Sequence, residues 1–460
     1  MLGFDFIIVG AGTAGCVLAN RLSADPTARV LLLESGPPDR HWHVTMPMGN
    51  IEALKGTRFN WSFMTEPEPH LGGRRLFCPR GRALGGSSSI NGMVHVRGHP
   101  KDFDRWVALG GTGWGFHDVL PYFRKSERYL GPPSPWRGTD GPLTVTKGRP
   151  RGPLDEAFLA AADELGLPSA KDFNGPDQEG FGPYDLTIHQ GRRVNGACAY
   201  LHPVRTRPNL KVWTGAHVMS VRMAHHRAAG VDVVRDGRVE TVAAEREVIL
   251  AAGAVQTPQI LMLSGIGPAE ELKANDVEVR HALAGVGDGL QNHIDVYMKY
   301  RSSRPVSLNA AAWPLGRALA GSRWFLNHSG VCASNGFETG GFFRAQEDST
   351  YPDAQIIFFP VAFKTGSFEV EPWHGFQFHV GTQKPVSRGW VRLASADPTI
   401  APRLRYNYLA TERDRDHIRN AMRRVRDLVR TRAFAPFLAA EVNPTRDVES
   451  DADLDAWLRA

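Results

Sequence analysis

The chain has 460 residues, 42% hydrophobic and 22% charged, with 54 basic against 48 acidic side chains and a net charge of +6. This is the make-up of a soluble globular protein, either one large two-domain unit or two to three domains. It excludes a membrane-spanning protein, since no apolar run nears the roughly 20 residues a spanning helix needs.

Cys16, Cys78, Cys198 and Cys332 lie far apart with no CxxC pair. This argues against a disulfide framework and a zinc cluster, suits a reducing compartment, and leaves no metal expected. The N-terminus lacks the basic region of a secretion signal, so a cytoplasmic protein is expected, with peripheral membrane association left open. No recognition module for nucleic acid is visible.

In chain order, Phe4–Val9 is a continuous apolar run and reads as a buried parallel strand. Gly10-Ala-Gly12-Thr13-Ala14-Gly15 follows at once. A helix is predicted over Cys16–Leu22 and a second strand over Arg29–Glu34, ending in an acid 19 residues after Gly15. This is GxGxxG in a full βαβ setting. Gly10 serves the tight turn, Gly12 lets a pyrophosphate approach the backbone, and Gly15 lets helix and strand pack closely. The helix N-terminus suits phosphates, and Glu34 suits a ribose hydroxyl with no phosphate on it. FAD and NAD both satisfy this fingerprint.

Residues 79–94, Pro-Arg-Gly-Arg-Ala-Leu-Gly-Gly-Ser-Ser-Ser-Ile-Asn-Gly-Met-Val, are dense in Gly and Ser. Such a loop can present backbone N–H groups to a ligand, and Leu84, Ile90, Met93 and Val94 would anchor it. Tyr129–Pro153 is rich in Gly and Pro and reads as a boundary or lid-like excursion. Arg246–Ala251 is another buried strand, followed by a Gly253 turn and a helix over Ala254–Leu263 that Gly265-Ile-Gly-Pro268 ends. From about residue 300 the pattern shifts to strands, at 355–359, 376–380 and 390–393, predicting an antiparallel sheet. Arg413–Arg432 keeps helical spacing at Ile418, Met422, Val425, Leu428 and Val429, with the arginines on the wet face. Ser450 caps a last helix whose apolar stripe is Leu454, Trp457 and Leu458, with Asp453 in the capping-box position.

Together these stretches resemble the glucose–methanol–choline (GMC) family of FAD-dependent oxidoreductases. The resemblance is carried by Gly10–Gly15 with Glu34, by Gly81–Val94, and by Gly253–Gly267. The segments 374–380 and 387–393 resemble its choline-dehydrogenase-like branch. It implies an α/β fold: a doubly wound, Rossmann-like FAD domain from residues 1–150 and 195–300, an excursion at 151–194, and a substrate domain at 301–460. In that domain an antiparallel sheet roofs the flavin and is backed by helices.

The same resemblance implies FAD contacts at Gly10, Gly12, Thr13, Ala14, Gly15, Glu34, Gly86, Ser87 and Gly253. It places Ala83, Asn91, Gly92, Met93 and Val94 near the flavin ring, and Val218 against adenine. Ile90 stands where some members attach flavin through a His, so FAD is expected to be non-covalent. The implied reaction is oxidation of a small alcohol, choline-like or another primary alcohol, by hydride transfer to flavin. Nothing in the sequence names the electron acceptor.

Trp61 and Glu338 are similar to positions that meet a quaternary ammonium in choline-oxidising relatives. A core position for Trp61 and an internal salt bridge for Glu338 stay open as plainer readings. The family's base, a His in a His-x-x-Gly-Thr-type motif, does not occur among the 17 His of the chain. Hence the expectation that the C-terminal part of the family fold is missing, with no catalytic residue assigned. The alternative is a naturally shortened, non-catalytic flavin- or nucleotide-binding protein. An NAD-linked dehydrogenase is disfavoured by the Ser-rich loop.

Overall fold

The computed structural model describes residues 3–460. In chain order, the elements that carry the site are β1 (Gly3–Val9), α1 (Thr13–Leu22), β2 (Val30–Glu34), α2 (Pro153–Glu164), β3 (Gly180–Pro183), β4 (Leu210–Thr214), β5 (His217–Ala224), β6 (Arg227–Arg235), β7 (Arg238–Leu250) and α3 (Gly253–Leu263). They continue with β8 (Asp295–Ser302), β9 (Thr339–Phe343), β10 (Ala354–Phe359), β11 (Gly375–Thr382), α4 (Glu412–Val429), β12 (Leu438–Asn443) and α5 (Asp451–Arg459).

The first sheet has six strands in the order β4-β2-β1-β7-β6-β5. β4, β2, β1 and the end of β7 run parallel. They are buried by their apolar runs, with Ile7, Ile8, Leu31 and Leu32 fully inside. β5 and β6 form a hairpin that β7 extends antiparallel. Thus β7 pairs antiparallel with β6 over its first half and parallel with β1 over its second, Ala243 facing both Gly230 and Gly3.

The second sheet, in the order β12-β8-β11-β10-β9-β3, is antiparallel throughout. Alternation splits β11 into two faces. Phe376, Phe378 and Val380 enter a core with Phe158, Phe358 and Phe434, where Phe158 and Phe358 stack at 5.1 Å. Gln377 and His379 face the other way. The predicted strand at 390–393 is real but lies elsewhere, as Gly389–Arg392 between Asp288–Leu290 and Arg403–Arg405 in a separate three-stranded sheet.

α4 packs behind the second sheet through Ile418, Met422, Val425, Leu428 and Val429, as its spacing predicts. Its arginines correct the expected wet face. Arg419 and Arg426 are buried, because they meet Glu412 of the same helix and acids from other segments. Arg419 donates to Glu412 and Asp455 at 2.6 and 2.7 Å, and Arg426 donates to Glu441 at 2.8 Å. α5 starts with the predicted capping box, Ser450 and Asp453 bonding reciprocally. Leu454 and Leu458 join the core, and Trp457 Nε1 donates to Asn443.

The stretch Tyr129–Pro153 is tied down by charge. Arg137, 2% exposed, donates to Glu127 Oε1, Asp172 Oδ1 and Asp185 Oδ2 at 2.7–2.8 Å. Arg97 adds a 2.7 Å bond to Glu127. His95 N donates to Asp185 O at 2.7 Å, so the end of the Ser-rich loop is moored to the same cluster.

Burial alone would raise the Glu127 carboxyl, but His95, Arg137 and Arg97 hold it down at about 2. A carboxylate depressed in the folded state contributes stability above its unfolded value, here 4.5, and loses it as pH falls through the folded value. Chemical denaturation should therefore show stability falling from about pH 4.5 towards 2, with a shallower fall in Glu127→Gln. Arg137→Met should cost about 3–5 kcal/mol at neutral pH by leaving buried carboxylates short of a cation. An unchanged denaturation midpoint would count against the cluster.

Candidate functional site

The site begins at the C-terminal ends of the parallel strands, where a doubly wound sheet leaves a crevice. Gly10 N donates to Leu33 O at 2.9 Å and Ala251 N to Val9 O at 2.8 Å, so three strand ends are level. Gly10 turns at φ +98°, and a Cβ there would lie 2.7 Å from Ala251 O. At Gly15 a Cβ would lie 1.9 Å from Gly10 O, which only glycine avoids. At Gly12 a Cβ would meet nothing within 4 Å, so this glycine keeps the crevice clear rather than the fold closed. Gly12 is the N-cap of α1 and supplies no side-chain cap, leaving the helix's first N–H groups free to meet an anion.

Glu34 stands at the crevice, 6% exposed. Its Oε2 accepts from Ala11 N at 3.0 Å and its Oε1 from Gly36 N at 2.8 Å. Burial pushes the carboxyl up to about 7 against the pull of those two bonds. Each oxygen keeps a second lone pair for a ribose hydroxyl.

Gly10, Gly12, Thr13, Ala14, Glu34, Gly86, Ser87, Val218, Gly253 and Trp61 all line this one crevice. Gly15 packs beneath it. Ala83 is buried with Val44, Phe59 and Ile90, so Ile90 belongs to the core. The donor set fits an adenine dinucleotide: a bare helix N-terminus, a buried acid, and space at Gly12 and Gly253 that side chains would fill.

Asn91, Gly92, Met93 and Val94 sit apart, at the far end of the loop. Buried Arg193 pins them: its Nη1 donates to Ser88 O at 3.1 Å and to Asn91 O and Oδ1, each at 2.8 Å, while its Nε donates to Val44 O. Burial lowers this guanidinium to about 9. Met93 takes φ +62° and accepts from Thr187 N at 2.9 Å. A Cβ on Gly92 would touch the Phe337 ring at 3.4 Å.

Phe337 packs on the face of the antiparallel sheet that bears His379. Its ring lies 4.3 Å from Phe359 and 5.7 Å from His379, and His379 lies 4.1 Å from Tyr297. Tyr297 is 53% exposed. Yet the surrounding protein raises its phenol to about 12, raises the Asp295 carboxyl to about 6, and lowers His379 to about 3. In each case desolvation by neighbouring protein atoms penalises the charged form. Sequence reasoning missed Asp295, Tyr297 and Arg193. The alternation of β11, apolar at 376, 378 and 380 against Gln377 and His379, carried the signal for the face that His379 shares with Tyr297.

Trp61 and Glu338 are not brought together. Trp61 lines the crevice, stacked on Phe63 at 6.0 Å with the Arg82 guanidinium 4.8 Å above its ring. Glu338 is 1% exposed, accepts from Ser334 Oγ and pairs with Arg151. Burial raises its carboxyl.

Two family models described as GMC oxidoreductase match the chain, one over residues 4–295 and a C-terminal one over residues 385–460. The second match corrects the expectation of a missing C-terminal part and removes the ground for the non-catalytic alternative. The mitochondrial choline dehydrogenase of Mus musculus is 43% identical over 99% of this chain and 78% of its own length. The oxygen-dependent choline dehydrogenase of Photobacterium profundum is 42% identical over 99% of this chain and 81% of its own. Among solved structures, a formate oxidase variant of Aspergillus oryzae RIB40, studied for FAD modification, superposes with a TM-score of 0.93 at 26% identity, covering 100% of this chain and 86% of that one. No helix among the described residues is long and apolar enough to cross a membrane. Matched at both ends and similar to choline dehydrogenases along nearly all of its length, the chain belongs to the GMC oxidoreductases, FAD-dependent enzymes that oxidise alcohols.

Proposed function

We propose that this enzyme oxidises a small primary alcohol, choline or one like it, with FAD held non-covalently in the glycine crevice. The observation that carries the reading is the path of one loop. Residues 81–94 line the dinucleotide crevice at Gly86 and Ser87, and Gly92 of the same loop lies against Phe337 under the second sheet. In this reading residues 1–150 and 195–300 hold the cofactor, 301–460 roof it, and the alcohol enters beside Phe337.

FAD, when bound, supplies the hydride acceptor. The chain's own residues bind and orient. The N-terminus of α1, with Thr13, Ala14 and Gly15 in its first turn, receives the pyrophosphate. Glu34 holds a ribose hydroxyl, and Val218 borders the adenine. Asn91, Gly92, Met93 and Val94, held by Arg193, would meet the flavin ring, with Ala83 near it. Phe337 and Phe359 would supply the apolar side of the alcohol's site. No His of residues 1–460 is assigned as the base.

Glu338 is the proposed contact for a cationic alcohol, since it already pairs with a cation, Arg151. Trp61, expected beside it, lines the cofactor crevice instead. A charge-assisted contact of about 1.5–3 kcal/mol corresponds to roughly a 10- to 100-fold change in KM. Glu338→Gln should raise KM for choline by that factor and leave KM for uncharged primary alcohols nearly unchanged. Equal effects on both would remove Glu338 from substrate recognition.

The glycines separate cofactor binding from folding. Gly12→Val should purify without flavin while keeping its thermal midpoint as apoprotein, because the new side chain enters open space. Gly86→Ala should lower that midpoint, because its Cβ would lie 2.6 Å from Gly12 Cα at φ +56°. Wild-type flavin should appear in the supernatant after acid precipitation. Flavin retained on the denatured chain would overturn non-covalent binding.

A further inference from the structure

Behind the crevice a carboxylate, a thiol and an imidazole converge from separated parts of the chain. Asp39 comes from the loop after β2. Cys198 and His202 lie four positions apart, on and just beyond the π-helical turn Ala197–Leu201. Their ligating atoms all lie within 4.8 Å of one another. His202 Nε2 is 3.0 Å from Asp39 Oδ1, and Cys198 Sγ is 3.9 Å from Asp39 Oδ2. A regular α-helix also sets side chains four apart on one face, but π-turns recur at functional sites.

The cluster has an organised surround. Asn195, 1% exposed, donates from Nδ2 to Asp39 Oδ2 at 3.1 Å and to Ser89 Oγ at 2.8 Å, and its Oδ1 accepts from Cys198 N at 2.7 Å. One amide thus fixes the carboxylate and the thiol-bearing backbone together. The thiol of Cys16 is buried and donates to Ala11 O at 3.3 Å, so it is engaged elsewhere.

We propose that Asp39, Cys198 and His202 form a three-ligand site for a zinc-like divalent cation. Sulfur, imidazole nitrogen and carboxylate oxygen are the donors zinc takes, and three protein ligands leave a fourth position for water. The Asp39 side chain is 2% exposed and that of His202 is 32% exposed, which gives the ion a way in. The spacing of the cysteines, with no CxxC, pointed away from a zinc cluster. A site with one sulfur needs no such pair, and its ligands are neighbours only in the fold. Through Asn195 and Ser89 the ion would be tied to the Ser-rich loop, so occupancy would stiffen the floor of the crevice.

Cobalt(II) is the probe. Metal-stripped flavin-loaded protein titrated with it should bind one cobalt per chain and show a near-ultraviolet thiolate-to-cobalt charge-transfer band, with zinc displacing it. Cys198→Ser should lose the band while keeping flavin content and thermal midpoint. His202→Gln, at the exposed side, keeps the test open if Cys198→Ser fails to fold; it should weaken cobalt binding by at least the roughly 10- to 100-fold typical of an outer-shell loss. No band in wild type, an unchanged band in Cys198→Ser, or unchanged affinity in His202→Gln would overturn the site.

Discussion

Backbone pressed against backbone holds this molecule together at its centre. A Cβ on Gly15 would sit 1.9 Å from Gly10 O, one on Gly81 2.1 Å from Gly86 O, one on Gly36 2.1 Å from Arg82 O, and one on Gly86 2.6 Å from Gly12 Cα. Two loops, distant in sequence, therefore interlock with no side chain between them. The first sheet supplies the glycine turn, the Ser-rich loop lies on it, and the crevice is the space their contact leaves. Dispersion and shape at this junction allow almost no substitution, since interiors are packed as densely as organic crystals.

Charge secures what the glycines leave loose. The Ser-rich loop would be a flexible strip if only its glycines were considered. Arg193 grips it at Ser88 and Asn91, and its far end runs into the Glu127–Arg137–Asp185 cluster through His95 and Arg97. Buried ion pairs contribute little net stability against apolar alternatives, but they are unforgiving of a missing partner. Here they tie the far end of the loop to carboxylates that the loop itself does not carry.

The parts readable from sequence were those whose cause is local. The run Phe4–Val9, the fingerprint Gly10–Gly15 with Glu34, the helix after Gly253 and the Ser450–Asp453 cap each depend on neighbours within a few dozen residues. Arg419 and Arg426 looked solvated because Asp455 and Glu441 enter their surroundings only after the chain has folded. Trp390 reads as any strand residue, and sheet membership is decided by partners at Asp288 and Arg405. The face shared by Tyr297 and His379 went unread: alternation along residues 376–380 tells which side chains leave the core but not what they meet. Arg193, Asp39 and Cys198 carry no local signal, because their roles come from atoms that the sequence separates widely.

The long strand β7 carries a mechanical consequence. Its first half is bonded to the hairpin bearing Val218, and its last residue lies three positions before Gly253. Both ends of the crevice floor are thus attached to one thirteen-residue beam. A dinucleotide lying along that floor would bear on a single strand from its adenine end to its far end.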